Sequence, residues 1–166
     1  NEWDANPRIL VVAFALKKGG YKLIFQNNDI LPRHDDPCID DPFGGASIVD
    51  GAIQIGYHFW ANAGSWYTSS TWFTFRYRNE GFLLVAYTNY TTKRNTGECW
   101  DLKLDYLSRK AEMTVGSFSS DDEEGSKTYT RKLPPASLVP IEQVSAINGF
   151  YPEQTDLAWW GIEEAE

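Results

Sequence analysis

Residues 71–87 read TWFTFRYRNEGFLLVAY: Thr71, Trp72, Phe73, Thr74, Phe75, Arg76, Tyr77, Arg78, then Asn79, Glu80, Gly81, then Phe82 to Tyr87. Trp72, Thr74, Arg76 and Arg78 share one parity, while Phe73, Phe75 and Tyr77 share the other. Side chains on a strand alternate between its two faces, so this pattern sets an apolar face against a mixed one. A glycine-containing break and a second apolar, β-branched and aromatic run complete the signature of a central β-hairpin.

Working outward, Arg8–Lys17 and Tyr21–Gln26 flank Gly19-Gly20 and predict a first hairpin, and Ser47–Tyr57 predicts a second around Asp50-Gly51, a residue pair suited to a tight turn. Between them, Asn27–Gly45 holds three prolines, two glycines and five aspartates, which predicts a long loop with a short extended piece at Ile30-Leu31. His58–Ser70 and Thr88–Glu98 read as connections, and Cys99–Tyr106 alternates as a half-buried strand. Ala111–Val115 and Lys127–Leu133 add two more strands, and Pro140 opens one helical turn before Val144. The expected fold is mainly β with little helix: an antiparallel meander of hairpins forming a sandwich or partly open barrel.

With 166 residues, 42% of them apolar and 15% aromatic, the chain suits one core, a single β-rich domain over 1–166. Its formal charge of −8 is uneven. Residues 1–115 carry 12 Lys/Arg and 13 Asp/Glu, whereas the acidic C-terminal third, 116–166, carries 3 and 10 and packs on or trails from the rest. Such a field excludes nucleic acid as a partner and makes an anionic membrane a poor one. No run reaches the roughly 20 apolar residues of a membrane span. The chain begins at Asn1 without a signal-like segment, as a mature exported or trimmed chain would. A disulfide between Cys38, at the centre of the long loop, and Cys99 is expected, with two buried free thiols as the alternative.

Several motifs resemble a known family. Asp40-Asp41-Pro42-Phe43, then Trp72-Phe73-Thr74-Phe75-Arg76-Tyr77 with Phe82-Leu83-Leu84 and Tyr87, then Thr96-Gly97-Glu98, then Asp105-Tyr106-Leu107-Ser108-Arg109-Lys110 are similar to G-D-P-F, W-x-x-T-x-x-F-R-Y, T-G-E and Y-N-L-L-T-G-K. These occur in that order in an uncharacterised family of small exported bacterial proteins. The resemblance spans about Ile9 to Val115. It departs at Asp40, in place of glycine, and at Ser108-Arg109, in place of T-G, which puts the geometry of that turn in question. It implies a β-rich fold and export, to a periplasmic or lipid-anchored location, and it supplies no active site.

Catalytic chemistry finds little support. The two histidines, His34 and His58, lie in no nucleophile motif, and phosphate-binding glycine loops and zinc spacings are absent from the sequence. Asp35, Asp36, Asp40 and Asp41 could offer oxygen ligands to Ca²⁺, but Asp36-Pro37 and Asp41-Pro42 are also turn-starting pairs whose carboxylates accept backbone N–H groups. No cofactor is expected. The leading expectation is a non-catalytic exported protein-binding domain, of the inhibitor or immunity type, that neutralises a basic enzyme or toxin. Its contact residues would be Asp121, Asp122, Glu123, Glu124, Trp159, Trp160, Glu163 and Glu164. The alternative is a carbohydrate-binding surface using the aromatic loop with Trp60, Trp66 and Trp72.

Overall fold

The computed structural model describes residues 6–118, 125–144 and 150–162. Among these residues nine strands carry the fold: β1 Leu10–Ala15, β2 Tyr21–Asn27, β3 Phe43–Val49, β4 Ala52–Trp60, β5 Tyr67–Arg78, β6 Gly81–Lys93, β7 Glu98–Asp105, β8 Lys110–Ser117 and β9 Lys127–Lys132. β1 and β2 form a separate two-stranded sheet, and β3 to β9 form one antiparallel sheet in sequence order. The expected mainly β meander is therefore present. β3 and β9 end the larger sheet without pairing to each other, so it stays open.

The parity of residues 71–87 decides which face is covered. Phe73, Phe75, Leu84 and Tyr87 point inward and are buried, joined by Ile53 and Ile55 on β4 and by Leu102, Leu104 and Met113 on β7 and β8. Three pieces close over this face. The β1–β2 hairpin sets Phe14 against Tyr77 and Phe25 against Phe82. The 28–42 loop buries Ile30 and Leu31, so the expected extended piece serves as an apolar plug. The C-terminal stretch adds Leu133, Ile141, Val144 and Trp160, with a 3-10 turn at Ile141–Gln143 after Pro140.

Turn chemistry explains the registers. Asp50 and Gly51 have φ of 50° and 72°, as a two-residue hairpin turn of this hand requires. The β5–β6 turn is Asn79-Glu80, at φ 49° and 65°, and Gly81 already pairs with Arg78 as the first residue of β6. The long loop is held by its aspartates. Asp36 Oδ1 accepts from Cys38 N at 2.8 Å and Asp41 Oδ1 from Phe43 N at 3.0 Å, as expected of turn-starting pairs. Arg8 also grips Asp41 with two bonds of 2.6 and 2.8 Å, and this guanidinium holds the Asp41 carboxyl below its ordinary range.

Three sequence expectations need correcting. Thr88–Lys93 continues β6, pairing with β5 throughout and with β7 as far as Thr92, so it is sheet and not connection, and β4 likewise takes in His58–Trp60. Cys38 and Cys99 are free thiols, one exposed and one half-buried. The register shows why: Cys99 sits across from Thr92, then Thr68, then Trp60, while the loop of Cys38 bridges to Ala61 at Ile39. Three strand spacings amount to about 14 Å, beyond the roughly 7 Å that a disulfide spans between Cα atoms. Trp159 and Trp160, expected as contact surface for a partner, are drawn onto the body of the domain, with Trp160 buried. They lie on a single helical turn, α1 Leu157–Trp160, capped by Asp156 and ended by Gly161 at φ 72°.

Candidate functional site

The face of β4, β5 and β6 turned away from the core carries Gly56, His58 and Trp60, then Thr68, Ser70 and Trp72, then Thr88, Tyr90 and Thr92. Its centre is Trp72, which pairs with Gly56 on one side and Thr88 on the other. A Cβ built on Gly56 would meet Cη2, Cζ2 and Cζ3 of the Trp72 ring at 2.8, 2.9 and 2.9 Å. Three ring atoms at nearly equal distance mean that the indole lies flat over the glycine. Only glycine leaves room for it, and the opposite face of the ring looks to solvent, with 37% of the residue exposed.

Tyr90 is the diagonal neighbour of Trp72, because it pairs with Ser70, and it is 46% exposed. Diagonal neighbours stand about 7–8 Å apart, within reach of aromatic side chains. Trp60 shares the face at the far end of β4, with the Arg94 guanidinium over its ring at 4.3 Å. Arg94 also donates to the carbonyls of Ala61 and Ser65 at 2.9 and 2.5 Å, which pins the 61–66 connection to the end of β6. Trp66 ends that connection at 63% exposure, its carbonyl accepting from Arg94 N. Trp60 and Trp72 therefore belong to one face, and Trp66 stands on its rim.

Charges beside this face are matched in pairs. Lys103 meets Asp101 at 2.7 Å and Lys110 meets Glu112 at 2.8 Å. The Asp101 carboxylate raises the Lys103 ammonium above its ordinary value, and Lys110 lowers Glu112. What remains for a ligand is aromatic surface edged by hydroxyls, with the Arg94 guanidinium spent on Trp60 and on two carbonyls. Sequence reasoning missed Tyr90, Ser70 and the threonines because His58–Ser70 and Thr88–Glu98 read as connections. The signal was present, since Thr88, Tyr90, Thr91 and Thr92 are good strand formers.

A second hollow lies on the covered side. A cavity of about 160 Å³ is lined by Tyr57, Phe59, Phe73, Phe150 and Tyr151, with Ser69 and Thr71 as polar members. Two of its polar groups are used within the protein: Tyr57 donates to Ile30 O at 2.6 Å, and Thr71 Oγ1 accepts from Asn89 Nδ2 at 2.8 Å. His58 also lines it, with its Nε2 buried and without a hydrogen-bond partner among the described residues. Burial pushes the phenols of Tyr57, Tyr87 and Tyr106 upward, which keeps them neutral.

The residues assigned to a protein partner fare differently. Asp121, Asp122, Glu123, Glu124, Glu163 and Glu164 lie outside the described residues. Trp160 is 2% exposed and its indole N–H donates to Gln154 O at 2.9 Å, so it is core and not contact surface. Trp159 packs edge-on against it at 4.8 Å, and Arg131 covers both rings while donating to both carbonyls at 2.5 and 2.7 Å. Among the described residues no group of three His, Cys, Asp or Glu side chains gathers to hold a metal ion, Asp35, Asp36, Asp40 and Asp41 included. No helix among them is long and apolar enough to cross a membrane.

Compared with protein families, curated proteins and solved structures, the chain matches none.

Proposed function

We propose that this is a non-catalytic carbohydrate-binding domain, and that the outer face of β4 to β6 is its platform. The observation that carries the reading is the Trp72 indole laid flat on Gly56, rigidly backed and open on its other side. The C–H face of a sugar ring stacks on such a surface, and hydroxyls at its edge answer the sugar's own. Ser70, Thr88 and the half-exposed Tyr90 stand beside the ring in that role, and the paired charges favour a neutral glycan.

Titration with cello-, chito- and malto-oligosaccharides, followed by tryptophan emission, tests this. Wild-type protein should respond to at least one series with little dependence on salt, and Trp72→Ala should weaken that response at least tenfold while its circular dichroism stays unchanged. Silence across neutral glycans would remove the reading.

The concentration of charge in 116–166 favours a second reading, in which that segment engages a basic protein such as a toxin or enzyme. Steering of that kind fades as salt rises, whereas sugar stacking does not, so ionic strength separates the two. Export belongs to the same proposal and rests on the resemblance of residues 9–115 alone, because free Cys38 and Cys99 lend it nothing.

A further inference from the structure

Consecutive strands of the larger sheet reverse direction, so the turns at Asp50-Gly51, Asn79-Glu80 and residues 106–109 leave it at one end. The β1–β2 hairpin delivers its tip to the same end. Arg8, just before β1, is tied to Asp41 at the opposite end of the sheet, and Phe14, near the tip, packs on Tyr77 and Phe82 at 5.0 and 6.3 Å. Four chain reversals thus share one pole.

Their composition is unlike the rest of the molecule. Tyr21 and Ile48 are each 77% exposed, and Leu16, Val49 and Leu107 are exposed as well. Lys17, Lys18 and Lys22 sit on the hairpin, which has no Asp or Glu anywhere from Arg8 to Asn27. Arg76 and Arg78 flank the next turn, and Arg109, Lys110 and Lys132 the last. Against these eight cations stand Asp50, Glu80, Asp105 and Glu112, together with Glu153, which lines one hollow with Arg109, a net of +3 at one end of a chain whose total is −8. Two of the five acids are engaged locally: Asp105 accepts from Leu107 N and Ser108 N, and Glu112 pairs with Lys110.

We propose that this pole docks on an anionic lipid bilayer. Exposed apolar side chains spread over three of the four reversals, with lysine or arginine on the same or the neighbouring turn, suit a fluid acyl layer under a negative headgroup plane: the apolar tips enter and the long cationic stems stay at headgroup depth. A folded protein partner would call for a gathered, desolvated centre, and here the apolar groups are dispersed. A second copy meeting this pole with its own would set +3 against +3. Ser117 and Lys127, the strand ends at the opposite pole, lie farther away than a Debye length of about 8–10 Å.

Co-sedimentation of the full chain with phosphatidylcholine vesicles, with and without phosphatidylglycerol, tests the proposal. Binding is expected only where phosphatidylglycerol is present and should weaken as salt rises. Lys17→Glu with Lys18→Glu should lower the partition at least about tenfold. Leu16→Gln with Tyr21→Gln should also lower it, and all four substituted sites are exposed, so melting temperatures should stay unchanged. Absence of binding to phosphatidylglycerol vesicles at low salt, or equal binding by the lysine variant, would overturn the proposal. So would a dimer in ultracentrifugation that the same substitutions dissolve, with no vesicle binding, since that would assign the pole to a second copy.

Discussion

Two adjacent rows of the sheet, one residue apart in register, have opposite fates. Ile55, Phe73 and Tyr87 face inward and are 0%, 5% and 0% exposed, while Gly56, Trp72 and Thr88 face outward around an open indole. Both rows hold a large aromatic at the β5 position. In the first it is enclosed by rings, with Tyr57 at 5.2 Å, Tyr87 at 5.1 Å and Phe150 at 6.1 Å. In the second it rests on bare backbone. Aromatic content alone therefore does not separate core from platform. What separates them is the partner across the strand, a branched side chain in one case and a glycine in the other.

The largest expected contrast is between truncating the two aromatics. Phe73→Ala should cost about 3–5 kcal/mol of unfolding free energy in a denaturant titration, whereas Trp72→Ala should cost well under that and act on ligand binding. Equal losses would mean that the outer ring is core after all.

Next comes alkaline pH, which acts most strongly on the inner side. Tyr57, Tyr87 and Tyr106 titrate above their ordinary value near 10 because they are buried. The unfolded chain therefore releases these protons first, and stability falls as pH rises past about 10. Thermal melts at rising pH should show this fall, and a flat profile would contradict the burial of these phenols.

Gly56→Ala tests the support of the platform. The added Cβ must lift the ring, at about 1–3 kcal/mol, and glycan binding should drop with it. Unchanged stability together with unchanged binding would show that the indole is not held.

Smallest is Glu80→Gly, at a turn belonging to neither row. Glu80 adopts φ 65°, which glycine takes without penalty, so stability should rise by roughly 0.5–1 kcal/mol in the same titration.

The hairpins were legible because period-two alternation and Asp-Gly are local signals, and β1 to β5 and β7 to β9 emerge close to where alternation puts them. The second half of β6 was not, since a polar strand between two others carries no apolar run, and its residues Thr88 to Thr92 are strand by virtue of pairing on both sides. Of the site, Trp60 and Trp72 were legible as aromatics, but their common face required the register, and the role of Gly56 required coordinates. Trp159-Trp160 was misread for a related reason: an Asp156 cap four residues before Trp160 turns the pair into one helical turn, and the attraction of Arg131 from β9 cannot be seen along the chain.

Every strand of the larger sheet neighbours the strand before it in the chain. Each pairing then closes only a short loop, so the entropy of search is small and β3 to β9 can zip up one hairpin after another. The long-range steps are the docking of the β1–β2 hairpin, where Phe14 meets Tyr77, and the return of the C-terminal stretch, where Leu84 N donates to Val139 O and Phe73 meets Phe150. Assembly of this molecule thus divides into a fast, sequential growth of ribbon and later docking events that seal its inner side.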